Sequence, residues 1–110
     1  MGTLINDASC VAIRLRQARK DMGISQKYLG ELAGIDSNSA SARINQYETA
    51  KHTPHFTILK RLGQVLDVPV SFFYEEDDEV ADIILKLHRL IDPQKKEVLA
   101  LIATALHERT

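Results

Sequence analysis

GIDSNSASARINQYETAK (residues 34–51) starts with small, mostly polar residues and ends as a helix in cross-section. Ser37, Asn38, Ser39 and Ser41 are middling helix formers, so helix propensity does not explain why they stand together. At about 100° per residue, Ala40, Ile44 and Tyr47 share one face and are expected to pack inward. Asn38, Ser39, Ala42, Asn45 and Gln46 then point the opposite way, with Arg43 at the edge of that face. Each of these is short, hydrogen-bonding, or both. A DNA major groove admits a helix only when its outward side chains allow close approach. Within it Asn and Gln can bond adenine through two hydrogen bonds, Arg can bond guanine, and Ala can meet a thymine methyl. The face suits entry into a groove, but a merely solvated helix can also show Ser and Asn, so the flanking chain has to decide.

The flanks are helical, with no repeat, no low-complexity tract and no strand-like alternation. A first helix is expected from about Ser9 to Met22, with Ile13, Leu15, Ala18 and Met22 toward the core and Gly23 ending it in a left-handed conformation. Ser25 caps a short second helix, Gln26 to Ala33, with Leu29, Leu32 and Ala33 inside, and Gly34 stops it. Asp36 or Ser39 is the expected cap of the third helix. Thr53 and Pro54 read as cap and first residue of a fourth helix carrying Ile58, Leu59, Leu62, Val65 and Leu66. A fifth, Pro69 to Tyr74, presents Phe72, Phe73 or both.

These residues carry a resemblance. LRQARKDMGISQKYLGELAG, followed by INQYETAKHTPHFTILKRLGQVLDVPVSFFY, resembles the phage-repressor/Cro-like helix-turn-helix family over residues 13–74. The most specific parts are Gly23-Ile24-Ser25-Gln26, then Tyr47-Glu48 with Lys51 shortly after. The resemblance implies an all-α, five-helix DNA-binding domain over residues 1–74 whose third helix reads bases through Asn38, Ser39, Ala42, Arg43, Asn45 and Gln46. It implies DNA-backbone contacts from Gln26, Lys27, Ser41, Lys51, His52 and Thr53, which fix register and supply salt-dependent affinity. Arg19 and Glu48 become a structural ion pair between the first and third helices. One departure stands out: between Gly34 and Glu48 the chain has about four residues more than the family's commonest spacing, roughly one helical turn. Either the turn is longer or the reading helix is extended at its start.

Bulk properties narrow the function further. The 110 residues, 45% hydrophobic and 26% charged, suit one globular domain with an appendage. No apolar run is long enough to span a membrane, and MGTLINDASC lacks a secretory start. The single cysteine, Cys10, suits the cytoplasm and reads as a small packed side chain rather than a nucleophile. The net charge of −1 hides an asymmetry: residues 1–70 hold nine Lys/Arg against six Asp/Glu, residues 71–110 five against nine. A basic first part hints at a polyanionic partner. His52-x-x-His55 has metal-like spacing but no third or fourth ligand, so no metal is expected. The serines lack a His/Asp pattern and there is no glycine-rich phosphate loop, so neither catalysis nor a cofactor is expected. Tyr28 and Tyr47 read as core or backbone-contacting residues, and His88 and His107 as surface positions.

Glu75 to Glu79 changes the composition abruptly and opens an acidic two-helix extension, residues 75–110. Val80, Ile83, Ile84, Leu87 and Ile91 form one apolar stripe. Asp92-Pro93 turns the chain into a second helix with Val98, Leu99, Leu101, Ile102, Ala105 and Leu106. As a short hairpin the two helices cover part of each other, and the remaining apolar surface either folds back on the first domain or pairs with a second copy. Val80, Ile83, Ile84, Leu87, Ile91, Val98, Ile102 and Leu106 are the expected dimer interface. The combined expectation is a DNA-binding transcriptional regulator, a homodimeric repressor acting by operator occupancy. The alternative is an antitoxin or other interaction module whose tail binds a partner protein. The tail is too short to hold a roomy ligand pocket.

Overall fold

The computed structural model describes residues 7–108; residues 1–6, the first part of MGTLINDASC, and 109–110 lie outside the described residues. Among the described residues there are seven helices and no strand: α1 (Asp7–Met22), α2 (Gln26–Leu32), α3 (Ser37–Glu48), α4 (Phe56–Leu66), α5 (Val70–Tyr74), α6 (Asp78–His88) and α7 (Asp92–Glu108). The chain is all-α, as expected. No described helix is long and apolar enough to cross a membrane.

The core gathers Val11 and Leu15 of α1, Leu29 of α2, Ala40 and Ile44 of α3, Leu59, Leu62 and Leu66 of α4, and both aromatics of α5. Phe72 and Phe73 meet edge to face, ring centroids 5.9 Å apart, an arrangement favoured by the ring quadrupoles. α2 packs closely against α3, and α1 lies across α3, α4 and α5.

Three expected core residues are not core: Ile13, Met22 and Leu32 are all exposed. Each lies at the rim of its helix's apolar arc, and periodicity alone does not say which rim faces inward. Val11 and Arg14 take the inward positions on α1 instead, in step with Leu15 and Ala18. The fourth helix also starts later than expected. His55, not Thr53, is its N-cap, with no side-chain cap bond. Pro54 is a buried loop residue, whose ring disfavours a helical conformation at the preceding Thr53.

The acidic run does open a helix. Asp77 caps α6, its Oδ1 accepting from the amides of Glu79 (2.9 Å) and Val80 (3.1 Å). α6 then docks on the first domain by its inner face: Ala81 is buried in the core, and Ile84 and Leu85 pack against it. It ends at His88, before Ile91, and the chain turns through 89–91 into α7. The expected hairpin is not formed. α6 and α7 are not packed face to face, and no residue of α7 is buried. With 17 residues α7 is about 25 Å long, and the molecule measures 55 Å along its longest axis.

The contact between α2 and α3 depends on Gly30. A Cβ there would stand 2.7 Å from the Ala40 Cβ and 3.1 Å from its Cα. Alanine favours a helix over glycine by about 1 kcal/mol, but here the added methyl meets backbone that cannot swing aside. Gly30→Ala is expected to destabilise the protein by about 1–3 kcal/mol, read as a lower urea midpoint at unchanged m-value.

Candidate nucleic-acid interface

Two short helices and the turn between them form the candidate surface. Ser25 starts α2, its Oγ accepting from the Tyr28 amide at 3.0 Å. Residues 33–36 turn the chain. Gly34 adopts φ +87°, a conformation costly for any residue with a Cβ, and Ile35 plugs the turn into the core. Asp36 is the cap of α3, its Oδ2 accepting from the Asn38 amide at 3.1 Å. Only two residues separate Gly34 from α3, so the extra turn of chain lies in α3 and not in a longer loop. Because the insertion is close to a whole turn, the inward face of Ala40, Ile44 and Tyr47 is preserved.

Of the six expected base-reading residues, Asn38, Ala42, Arg43 and Asn45 are exposed, while Ser39 and Gln46 are half-buried at the rim. Ser41 is exposed on α3 and Lys27 on α2. Ser37 donates to Glu31 Oε2 at 2.6 Å, which places an α2 carboxylate beside the start of α3, where the helix dipole favours it. Nothing in the local sequence marks Glu31, three residues before Gly34, as this partner.

Glu48, at the end of α3, is the hub that orients this surface. Its side chain is 2% exposed. Arg19 grips it with two parallel bonds, Nε to Oε2 at 2.5 Å and Nη2 to Oε1 at 3.0 Å, while Nη1 donates to the Ile24 carbonyl at 2.9 Å. The expected ion pair is therefore present, bidentate, and tied to the turn before α2. Hydrogen bonding to Glu48, the leading effect, holds the guanidinium protonated above its ordinary range, against burial. A raised folded-state value gives stability that is complete below the unfolded pKa and lost only as pH rises through the folded one. Arg19 thus adds no pH dependence near neutrality.

The Gln26 side-chain amide donates to Glu48 Oε1 (3.1 Å) and to Asn45 Oδ1 (3.2 Å). This leaves the Asn45 NH2 as the donor available to an acceptor in a groove. Arg43 folds along its own helix, donating to the Tyr47 hydroxyl at 2.8 Å with its guanidinium 5.9 Å from the ring centre. Beyond Glu48 the chain leaves α3 through Ala50 at φ +62°, and the amides of Lys51 and His52 both donate to the Gln46 carbonyl. Lys51, His52 and Thr53 are exposed on that loop, which is anchored directly to the reading helix. His52 and His55 belong to no cluster of three or more metal-ligating side chains among the described residues.

Residues 15–73 match the helix-turn-helix family model. The chain belongs to the phage-repressor/Cro-like helix-turn-helix family. It is 38% identical over 66 residues to uncharacterised HTH-type transcriptional regulators of Sinorhizobium medicae and Rhizobium meliloti, a match covering 60% of this chain and 45% of each relative. A putative HTH-type transcriptional regulatory protein of Methanocaldococcus jannaschii is 33% identical over 88 residues, 76% of this chain and 26% of that one. The match thus spans less than half the length of these relatives. The crystal structure of the transcriptional regulator BswR superposes with a TM-score of 0.84 at 42% identity, over 90% of this chain and 98% of that one. The likeness therefore extends past the helix-turn-helix unit into the C-terminal helices.

Truncating Arg19 leaves Glu48 buried with Gln26 as its remaining side-chain partner. Arg19→Met is expected to cost about 3–5 kcal/mol, and the added Glu48→Leu to recover much of it. Denaturation of the two single and the double variants gives the coupling directly; simply additive losses would show that the pair is not coupled.

Proposed function

We propose that this chain is a sequence-specific transcriptional repressor that binds double-stranded DNA as a homodimer and acts by occupying its operator, in the cytoplasm and without performing chemistry. The observation that carries this reading is the exposed face of α3. Asn38, Ala42, Arg43 and Asn45 stand outward on a helix whose other side is locked into the core, and none of them is too bulky for a groove. Arg43 and the Asn45 NH2 serve base acceptors, and Ala42 a thymine methyl. Lys27, Ser41 and the loop Lys51–Thr53 serve the phosphates, where contact gives affinity but not sequence preference. Gln26, expected among them, spends both side-chain N–H groups on Glu48 and Asn45 and supports α3 instead.

The second copy is supported by apolar surface that one chain leaves uncovered. Val80, Ile83, Leu87 and Ile91 of α6 and its exit turn are exposed, as are Leu99, Leu101, Ile102 and Leu106 of α7. Val98 is half-buried, and Ile84 turns toward its own domain, so Ile84 is the least available of the proposed interface residues. Burying a leucine-sized side chain contributes about 1.5–3 kcal/mol. Six or so per subunit offset the cost of association, roughly 4–15 kcal/mol. A two-fold dimer then presents two reading helices to half-sites about one DNA turn apart. The same exposed face of α7 also favours a second reading, a module whose tail seats a partner protein.

Selection from random DNA is expected to return an inverted repeat, with affinity falling steeply as salt rises. An absence of any enriched motif at moderate salt would favour the interaction module. Against the selected site, Arg43→Ala or Asn38→Ala is expected to cost about 1–3 kcal/mol and relax preference at one position. Lys51→Ala is expected to weaken all sequences alike and lower the salt slope by about 1. Ile83→Asp with Ile102→Asp, exposed in one chain but central to the proposed interface, is expected to give a folded monomer on sedimentation. A dimer that survived both changes would put the interface elsewhere.

A further inference from the structure

Arg14 is charged, 3% exposed, and has no place in the candidate DNA surface. Burying a guanidinium costs several kcal/mol before any partner is counted, and an apolar side chain of similar volume is often as stable. A buried arginine offers something else: a planar fork of donors with fixed directions. Here the fork closes on the three-residue linker between α5 and α6. Nε donates to the Glu75 carbonyl at 2.9 Å, Nη2 to the Glu76 carbonyl at 3.3 Å, and Nη1 pairs with Asp78 Oδ1 at 2.9 Å. Behind it the guanidinium lies 5.8 Å from the centre of the Phe72 ring. The Cys10 thiol donates to the same Glu75 carbonyl at 3.3 Å. Two of the three main bonds hold backbone, so they set the path of the chain itself. Asp77, inside this grip, caps α6.

Little else sets the direction in which α6 leaves. Its own packing is shallow, through Ala81, Ile84 and Leu85. At its far end Arg89 and His88 approach the Asp67 carboxylate at 3.4 Å each and Arg89 Nε donates to the Asp67 carbonyl at 3.2 Å, all exposed contacts of small energetic weight. α7 follows α6, and none of its residues is fully buried. Five residues along α1 from Arg14, Arg19 holds the end of α3 through Glu48. One helix thus grips the reading helix with one arginine and the root of the tail with another.

We propose that Arg14 is a positioning residue that sets the angle between the reading helix and the tail, and through it the half-site spacing the dimer accepts. This rests on the proposed function above, that the tail pairs two copies and α3 reads DNA. Two base pairs inserted between half-sites move one of them by about 7 Å and rotate it by roughly 70°, a change a rigid joint cannot follow. A joint freed of its clamp follows it better. The single-domain contacts with one half-site are untouched by Arg14, so they should not change.

The test uses the full chain, the selected inverted repeat, and variants of that repeat with zero, one, two and four base pairs added at the centre. Wild type is expected to lose at least about tenfold in affinity on adding two base pairs, and Arg14→Met no more than about threefold. Arg14→Met is expected to remain a dimer by sedimentation and to bind an isolated half-site as wild type does. A purely structural role would weaken all spacings and the half-site together. Should Arg14→Met fail to fold, Arg14→Lys replaces it, since it keeps the charge but loses the planar fork that holds the two linker carbonyls. A spacing profile as sharp as that of wild type in the folded variant overturns the proposal. A wild-type chain that is monomeric, or indifferent to spacing, instead overturns the dimeric reading, and this proposal with it.

Discussion

Glu48 ends α3 with a buried carboxylate, and a buried charge persists only if it is paired and hydrogen-bonded. Arg19 supplies two of its bonds from α1, and Gln26 supplies a third from the first residue of α2. Three helices therefore meet at one side chain. None of the three can rotate or slide without breaking a bond in a poorly solvated place. Gln26 carries the constraint outward, because its other donor bond fixes Asn45 on the surface. The path from core to candidate DNA contact is thus four side chains long. The flat approach of α2 to α3, which Gly30 and Ala40 permit, brings those side chains within reach.

α1 carries this arrangement in both directions. Its inward side presents Val11, Leu15 and Ala18 to the core and two arginines at either side of that patch. Arg19 faces the recognition surface, and Arg14 faces the linker to the tail. The basic charge of the first part and the acidic charge of the tail then serve separate ends. Acidic residues at 75–79 cap and start α6, while the exposed cations Lys27, Arg43 and Lys51 lie on or beside the helix-turn-helix. The tail is anchored through α6 alone, and α7 leaves its apolar side chains largely exposed.

Much of this architecture was legible in the sequence because it depends on local chemistry. Ser25 and Asp36 are caps, Gly23 and Gly34 take positive φ, and Ala40, Ile44 and Tyr47 recur at the helical period on a buried face. The Arg19–Glu48 pair came from family resemblance, since residues 29 positions apart show no local sign of meeting. What escaped notice depends on tertiary context. Ile13, Met22 and Leu32 are as apolar as their buried neighbours, and only the placement of other helices exposes them. Arg14 does not read as a core residue, because a charge inside a helix suggests surface. Its spacing from Val11 and Ala18, three and four residues away, was the available signal that it shares the core face. Thr53-Pro54 had the composition of a helix start, but the burial of Pro54 moved the start two residues on. The tail's stripes were visible, whereas the separation of α6 from α7 was not. That depends on Ala81, Ile84 and Leu85 choosing the first domain over the next helix.

A DNA contact made by α3 and the loop after it, held in place by Glu48, is expected to show in the backbone amide resonances of the full chain, followed by NMR while a short duplex is added at low salt. The largest shifts are expected on residues 25–28, 37–46 and 51–53, with α7 unaffected by the duplex. Shifts concentrated on α6 or α7, with α3 unmoved, would contradict it.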